Sequence, residues 1–144
     1  MKLKRFIMLL VVVLLLSATA TLLYYSYFKA EEVVDIEWAP YSFHISNHVG
    51  LVGDRDAVKF GGIMPGGSGE RGINVSNDFD FPVKIRITTK GEKSDWITIK
   101  ENNFILEPHT SKEVKLRVNI PATAVIPDTK INHTGTVTAY YIRI

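Results

Sequence analysis

Cysteine is absent from all 144 residues. That excludes a disulfide framework, a thiol nucleophile, Cys-bound zinc and a lipidated cysteine, so an exported domain here must be held together by packing. Acidic residues are missing before Glu31, and no helical period is visible beyond residue 32. A strongly basic domain is also lacking. The chain carries a formal +2, but Lys2, Lys4, Arg5 and Lys29 flank the first apolar run, and the rest of the chain has 13 basic and 15 acidic side chains. A nucleic-acid binder would show the opposite balance.

What is present first is an uncharged run from Phe6 to Phe28, rich in Leu and Val. As a helix its 23 residues reach about 34 Å, enough to cross a hydrocarbon core of about 30 Å with some tilt. The expected organisation is therefore a cytoplasmic 1–5, a transmembrane signal-anchor 6–28, a linker 29–32 and an extracytoplasmic domain 33–144. Basic side chains precede the run, and Glu31, Glu32, Asp35 and Glu37 come after it, which predicts an N-terminus inside and a domain outside. Tyr24, Tyr25 and Tyr27 suit the outer interface, with rings in the apolar layer and hydroxyls among headgroups. The competing reading is a signal peptide cleaved near Ala20, because Ala18-Thr19-Ala20 has the A-x-A form. Leu22 to Phe28 continues the apolar run past that point and favours a retained anchor.

Residues 33–144 make one ordinary domain with one core. Their apolar residues recur every second position. Val114, Leu116, Val118 and Ile120 alternate with Glu113, Lys115, Arg117 and Asn119, and Val83, Ile85 and Ile87 alternate with Lys84, Arg86 and Thr88. Each pattern predicts a half-buried antiparallel strand. Val34, Ile36 and Trp38, then Tyr41, Phe43 and Ile45, are expected as an edge strand broken in two at Ala39-Pro40, because proline cannot donate to a ladder. Short strands are expected at Val58–Phe60, Ile73–Val75, Ile97–Ile99 and Phe104–Leu106. Thr134 to Arg143 should be the last, with Val137, Ala139 and Tyr141 facing inward. Seven or eight short strands separated by turn residues predict an all-β immunoglobulin-like sandwich.

The order Pro65-Gly66, Ile73-Asn74-Val75-Ser76-Asn77, Phe81-Pro82-Val83, Trp96-Ile97, Phe104-Ile105-Leu106-Glu107-Pro108, Val114 to Ile120-Pro121 and Gly135-Thr136-Val137 resembles one group of such domains. It is similar to the immunoglobulin-like modules of the pilus-chaperone, major-sperm-protein and NEW3 type on bacterial and archaeal surface proteins, over roughly Val58 to Ile144. The resemblance implies a noncatalytic module that binds proteins, polymers or neighbouring domains.

Other clusters have modest readings. Gly67-Ser68-Gly69-Glu70-Arg71-Gly72 fits G-x-G-x-x-G, but Ile73 and Val75 continue as a strand where a phosphate site needs a helix N-terminus, so a flexible inter-strand loop is expected. His44 and His48 would stand about 13 Å apart along a strand, too far to share a metal, and with His109 and His133 they are expected to be solvated. Asp54-Arg55-Asp56 and Asp78-Phe79-Asp80 lack the oxygens of a calcium loop and are expected to close turns. No metal or cofactor is expected.

Asn74-Val75-Ser76 and Asn132-His133-Thr134 are glycosylation triplets on the exported side, Asn132 in a loop and Asn74 less accessible in mid-strand. If the strands holding Val83–Ile87 and Val114–Ile120 are neighbours in one sheet, Lys84, Arg86, Lys115 and Arg117 would form one cationic face for an anionic partner. The function expected is a membrane-anchored, noncatalytic extracytoplasmic module of the cell envelope, with a protein or envelope polymer as partner. The alternatives are a secreted subunit that polymerises through strand edges and, after it, an envelope enzyme.

Overall fold

In the computed structural model, residues 2–27, 31–48, 50 and 56–144 are described. The chain divides into two compact units, Met1–Glu31 and Glu32–Ile144. The first is α1, Lys2–Tyr27, 26 residues long. It takes in the basic head as well as the apolar run, and at 1.5 Å per residue it spans about 39 Å. Its four serine and threonine side chains turn back onto their own helix: Ser17 to Leu14 O at 2.9 Å, Thr19 to Leu15 O and Leu16 O at 3.0 Å, Thr21 to Ser17 O at 2.8 Å and Ser26 to Leu23 O at 3.0 Å. A hydroxyl satisfied in this way needs no water, which suits a helix in hydrocarbon.

The second unit is all-β: β1 Val33–Ile45, β2 Val58–Ile63, β3 Ser68–Ser76, β4 Val83–Gly91, β5 Ile97–Ile99, β6 Phe104–Leu106, β7 Ser111–Asn119 and β8 Asn132–Arg143. A 3-10 turn, Ser94–Trp96, lies between β4 and β5. Two sheets pack together, a large one in the order β2-β1-β8-β4-β6 and a small one in the order β3-β7-β5. All pairings are antiparallel except β1 with β2, which is parallel. Tyr41, Phe43, Ile85, Ile87, Val137 and Tyr141 from the large sheet meet Val75, Val114, Leu116 and Val118 from the small one, all buried. The alternating patterns of β4, β7 and β8 thus face as the sequence predicts.

Three expectations are corrected. β1 is not broken at Pro40 but runs unbroken for 13 residues between β2 and β8. Only Tyr41–Ile45 pairs with β2, so Pro40 stands in the half of β1 that has β8 alone as a partner. Because the strand is unbroken, its two-residue period carries through. With Tyr41, Phe43 and Ile45 inside, Ile36 and Trp38 fall on the outer face, where Trp38 is 70% exposed.

The glycine-rich stretch is strand rather than flexible loop. β2 extends through Gly61 and Gly62 to Ile63, a turn comes at Pro65-Gly66, and β3 begins at Ser68. The glycines admit close neighbours: a Cβ on Gly62 would lie 2.9 Å from Nε2 of His44 on the adjacent strand, and one on Gly69 would lie 2.9 Å from Cδ1 of Ile63 in the other sheet.

The third correction concerns β4 and β7, which lie in different sheets. β4 is flanked by β8 and β6, and β7 by β3 and β5. From β2 onward the chain changes sheet at every connection, the β6–β7 turn at Glu107–Thr110 among them, and alternation cannot reveal such crossings.

Asn77 is the one polar side chain fully buried among the described residues. Its Nδ2 donates to Phe81 O at 2.9 Å and Leu106 O at 3.0 Å, and its Oδ1 accepts from Phe79 N at 3.0 Å. It ties the β3–β4 turn to β6, with every polar atom satisfied.

Candidate functional site

The crossover divides the predicted cationic face. Lys84 and Arg86 lie on the outside of the large sheet, whereas Lys115 and Arg117 lie on the outside of the small one. On the small sheet Glu70 sits opposite Arg117 in register, 3.3 Å from Lys115 Nζ and 3.6 Å from Arg117 Nε, and Glu113 stands beside Gly72. That face is internally compensated.

The outer face of the large sheet carries cations of its own. Its outward strand positions include Lys59 on β2 and Lys84, Arg86 and Lys90 on β4. Asp35 and Glu37 are the only acidic residues in its five strands, and they pair with Tyr141 and Ala139, whose side chains point inward. The register lines up Ile36, Tyr140 and Arg86 across three strands, Trp38, Thr138 and Thr88 in the next row, and Val33, Ile142, Lys84 and Ile105 in a third. Ile36 and Ile105 are more than half exposed and Trp38 more so, while Ile142 is covered on this outer side. The result is an apolar and aromatic surface studded with cations.

A cleft of about 410 Å³ opens elsewhere in the domain, lined by Ile45, Lys93, Trp96, Val125, Ile131 and His133 among others. Lys93 Nζ stands 4.9 Å from the Trp96 ring centroid. Val125 is 81% exposed. The walls are apolar with a cation at the lip, which can receive an apolar group and offers no reacting pair.

Nor do the histidines form a centre. His133 is not solvated as expected: its side chain is 17% exposed, its ring lies 5.3 Å from that of Phe43, and Nδ1 is 3.4 Å from Glu92 Oε2. Burial, then the charges of Lys130 and His48, hold the His44 imidazole below its ordinary pKa. His109 Nε2 meets Asp80 Oδ1 at 2.8 Å in an exposed turn. Among the described residues no group of three His, Asp or Glu side chains is placed to hold a metal ion. Of the two acidic clusters, Asp54 and Arg55 lie outside the described residues. In the other, Asn77 closes the turn in place of an aspartate. Asn132 is the first residue of β8 rather than a loop residue, and both Asn132 and Asn74, a position of β3, are exposed.

Sequence reasoning missed the outer face because a strand broken at Pro40 would let Ile36 and Trp38 join the core. The available signal was parity: Trp38 and Tyr41 are an odd number of residues apart, so an unbroken strand puts them on opposite sides. No protein-family model matches the chain, and no curated protein matches it. Neither comparison supports the resemblance to the pilus-chaperone, major-sperm-protein and NEW3 modules, and what the fold itself shows is two packed β-sheets. The chain is an apolar helix of membrane-spanning length followed by a β-sandwich-like domain.

Proposed function

We propose that the protein is a single-pass, N-in membrane protein whose β-domain serves outside the membrane as a noncatalytic binding or assembly module of the cell envelope. The observation that carries this reading is α1. It is helical without interruption through Ala18-Thr19-Ala20 and on to Tyr27, it has no acidic residue, and every serine and threonine hydroxyl in it is bonded to its own backbone. Its described apolar side chains are exposed, which asks for lipid around them. Lys2, Lys4 and Arg5 at its start set the orientation.

The form of the strand edges weighs against a subunit that polymerises through them. Ile36 N–H donates to Asp35 Oδ1 at 2.8 Å. Alternate residues aim their backbone groups to the same side, so Ile36, Trp38 and Pro40 share the side away from β8, and Pro40 has no N–H. Along β4, beyond its short pairing with β6, Ile87 N–H donates to Asn102 Oδ1 at 2.7 Å and Ile87 O accepts from Asn102 Nδ2 at 2.8 Å. Both flanks of the large sheet are thus partly closed to another chain. In a glycosylating host, Asn132 and Asn74 would carry their sugars on the exported side, as this topology requires.

The test is the intact mass of the protein recovered from membranes. A retained anchor gives the full 16.2 kDa chain. A chain beginning just after Ala20 would instead establish the secreted subunit.

A further inference from the structure

We infer that two copies of the chain pair through the open edges of β3, antiparallel and centred on Gly72, so that their small sheets become one. The inference deepens the assembly reading above and rests on it. β3 ends the small sheet, and among the described residues no strand pairs with its second side. It runs for nine residues in unbroken register with β7 and holds no proline, lysine or bulge, the features that commonly blunt an edge. Ile120 N–H donates to Gly67 O at one end of the β3–β7 ladder and Asn77 N–H to Thr110 O at the other, so the odd-numbered residues of β3 turn toward β7. Glu70, Gly72 and Asn74 therefore present their N–H and C=O groups to the open side. Gly72 is the midpoint of Ser68–Ser76, so a pairing centred there engages the whole strand. Gly72 then bonds with Gly72 of the second copy, where neither strand has a side chain to crowd the other, and Glu70 of each copy bonds with Asn74 of the other.

Charge selects a second copy as the occupant. Arg71 points inward, with its Nε donating to Lys59 O at 2.8 Å. An inward charge bars most added strands, because pairing would bury it alone. In this register Arg71 stands opposite Ile73 of the second copy, and Ile73 shares a groove of about 110 Å³ with Glu37, Trp38, Ala39 and Val75. The groove takes the methylenes of the arginine and Glu37 meets its guanidinium, twice over by symmetry. Shape agrees with charge. β2 flanks Ser68–Arg71 and pairs only with Tyr41–Ile45 of β1, so it stops short of the groove. The two-fold sets β2 of each copy against the half of the edge that β2 of the other does not reach. Each chain contributes its one β3, so the pairing closes at two and does not polymerise.

Because the chain has no cysteine, introduced cysteines give the test in the full chain in membranes. Gly72→Cys is expected to oxidise to a reducible species of twice the 16.2 kDa mass, since bonded partners in an antiparallel pair stand about 5.5 Å apart, within disulfide reach. A Cβ at Gly72 meets first the side chain of Glu113, which can swing aside. Chains with Glu70→Cys and with Asn74→Cys, produced together, should cross-link with each other and neither with itself, which checks the register through a second pair of variants. Thr98→Cys on β5 should stay single. Adding Arg71→Glu to Gly72→Cys should lose the dimer, and adding Glu37→Arg as well should restore it. Absence of cross-linking in Gly72→Cys and in the Glu70→Cys with Asn74→Cys mixture overturns the pairing, as does equal cross-linking of Thr98→Cys. An undiminished dimer with Arg71→Glu overturns the charge selection. In the same gel, a full-length band without dimer strikes the pairing alone, whereas a band shortened at Ala20 strikes the anchor and leaves the pairing to the dimer of that shorter chain.

Discussion

Tyr41 shows how single residues hold this domain. Its ring lies against Gly135, the residue opposite it on β8, and its hydroxyl donates to Glu92 O at 2.9 Å. A Cβ on Gly135 would fall 2.4 Å from Tyr41 Cζ and hydroxyl and 2.4 Å from the backbone oxygen of Lys90, which cannot swing aside. Gly135→Ala is therefore expected to cost about 3 kcal/mol by overpacking, against about 1 kcal/mol for Tyr41→Phe, which loses only the hydrogen bond. Chemical denaturation of the two variants gives the comparison, and equal costs would mean that the ring does not rest on Gly135. Tyr141 supplies a second residue-scale prediction. Burial first, and then its 2.7 Å hydrogen bond to Glu37 Oε2, push its hydroxyl well above the ordinary range, and burial also raises Tyr41. Because these hydroxyls keep their protons in the native state after the unfolded chain has begun to lose its own, the stability they contribute is complete below pH 10.0 and declines above it. Alkaline absorbance titration should show late-ionising tyrosines, one fewer in Tyr141→Phe.

At the scale of elements, the sequence makes the strands legible and leaves their partners hidden. The two-residue period of β7 identifies its inner face because each of Val114, Leu116 and Val118 is buried between polar or charged neighbours. Leu116→Ala should cost about 2 to 5 kcal/mol and Lys115→Ala little, measured by thermal or denaturant unfolding. The same period says nothing about which sheet a strand joins, and so the basic residues of β4 and β7 were expected on one face and lie on two. Nor does it mark the glycines of β2 and β3 as strand, since they are there to admit His44 and Ile63 and have no side chains to alternate. Of the candidate site, Lys84 and Arg86 were legible as outward cations, whereas Ile36 and Trp38 were hidden by the assumption that Pro40 ends a strand. It does not, because its missing N–H falls on the side without a partner strand among the described residues. Edge protection makes a further prediction. Asp35→Ala with Pro40→Val restores two donors to the edge of β1, and light scattering should then show more self-association than in the parent chain. A variant that remains as monodisperse as the parent would mean that these residues do not guard the edge.

For the molecule as a whole, function comes from joining two units of opposite character. One is a helix whose side chains are exposed and apolar, and the other is a domain with a complete core, a compensated small-sheet face and a cationic, aromatic large-sheet face. The helix is long and apolar enough to cross a membrane, and the domain presents surfaces on which, among the described residues, no three metal-ligating side chains come together. The most direct measurement is protease digestion of intact cells producing the full chain with a tag at each end. The account predicts that the C-terminal tag and the domain are removed while the N-terminal tag stays protected. Protection of the domain in intact cells, with digestion only after lysis, would place it inside and contradict the account.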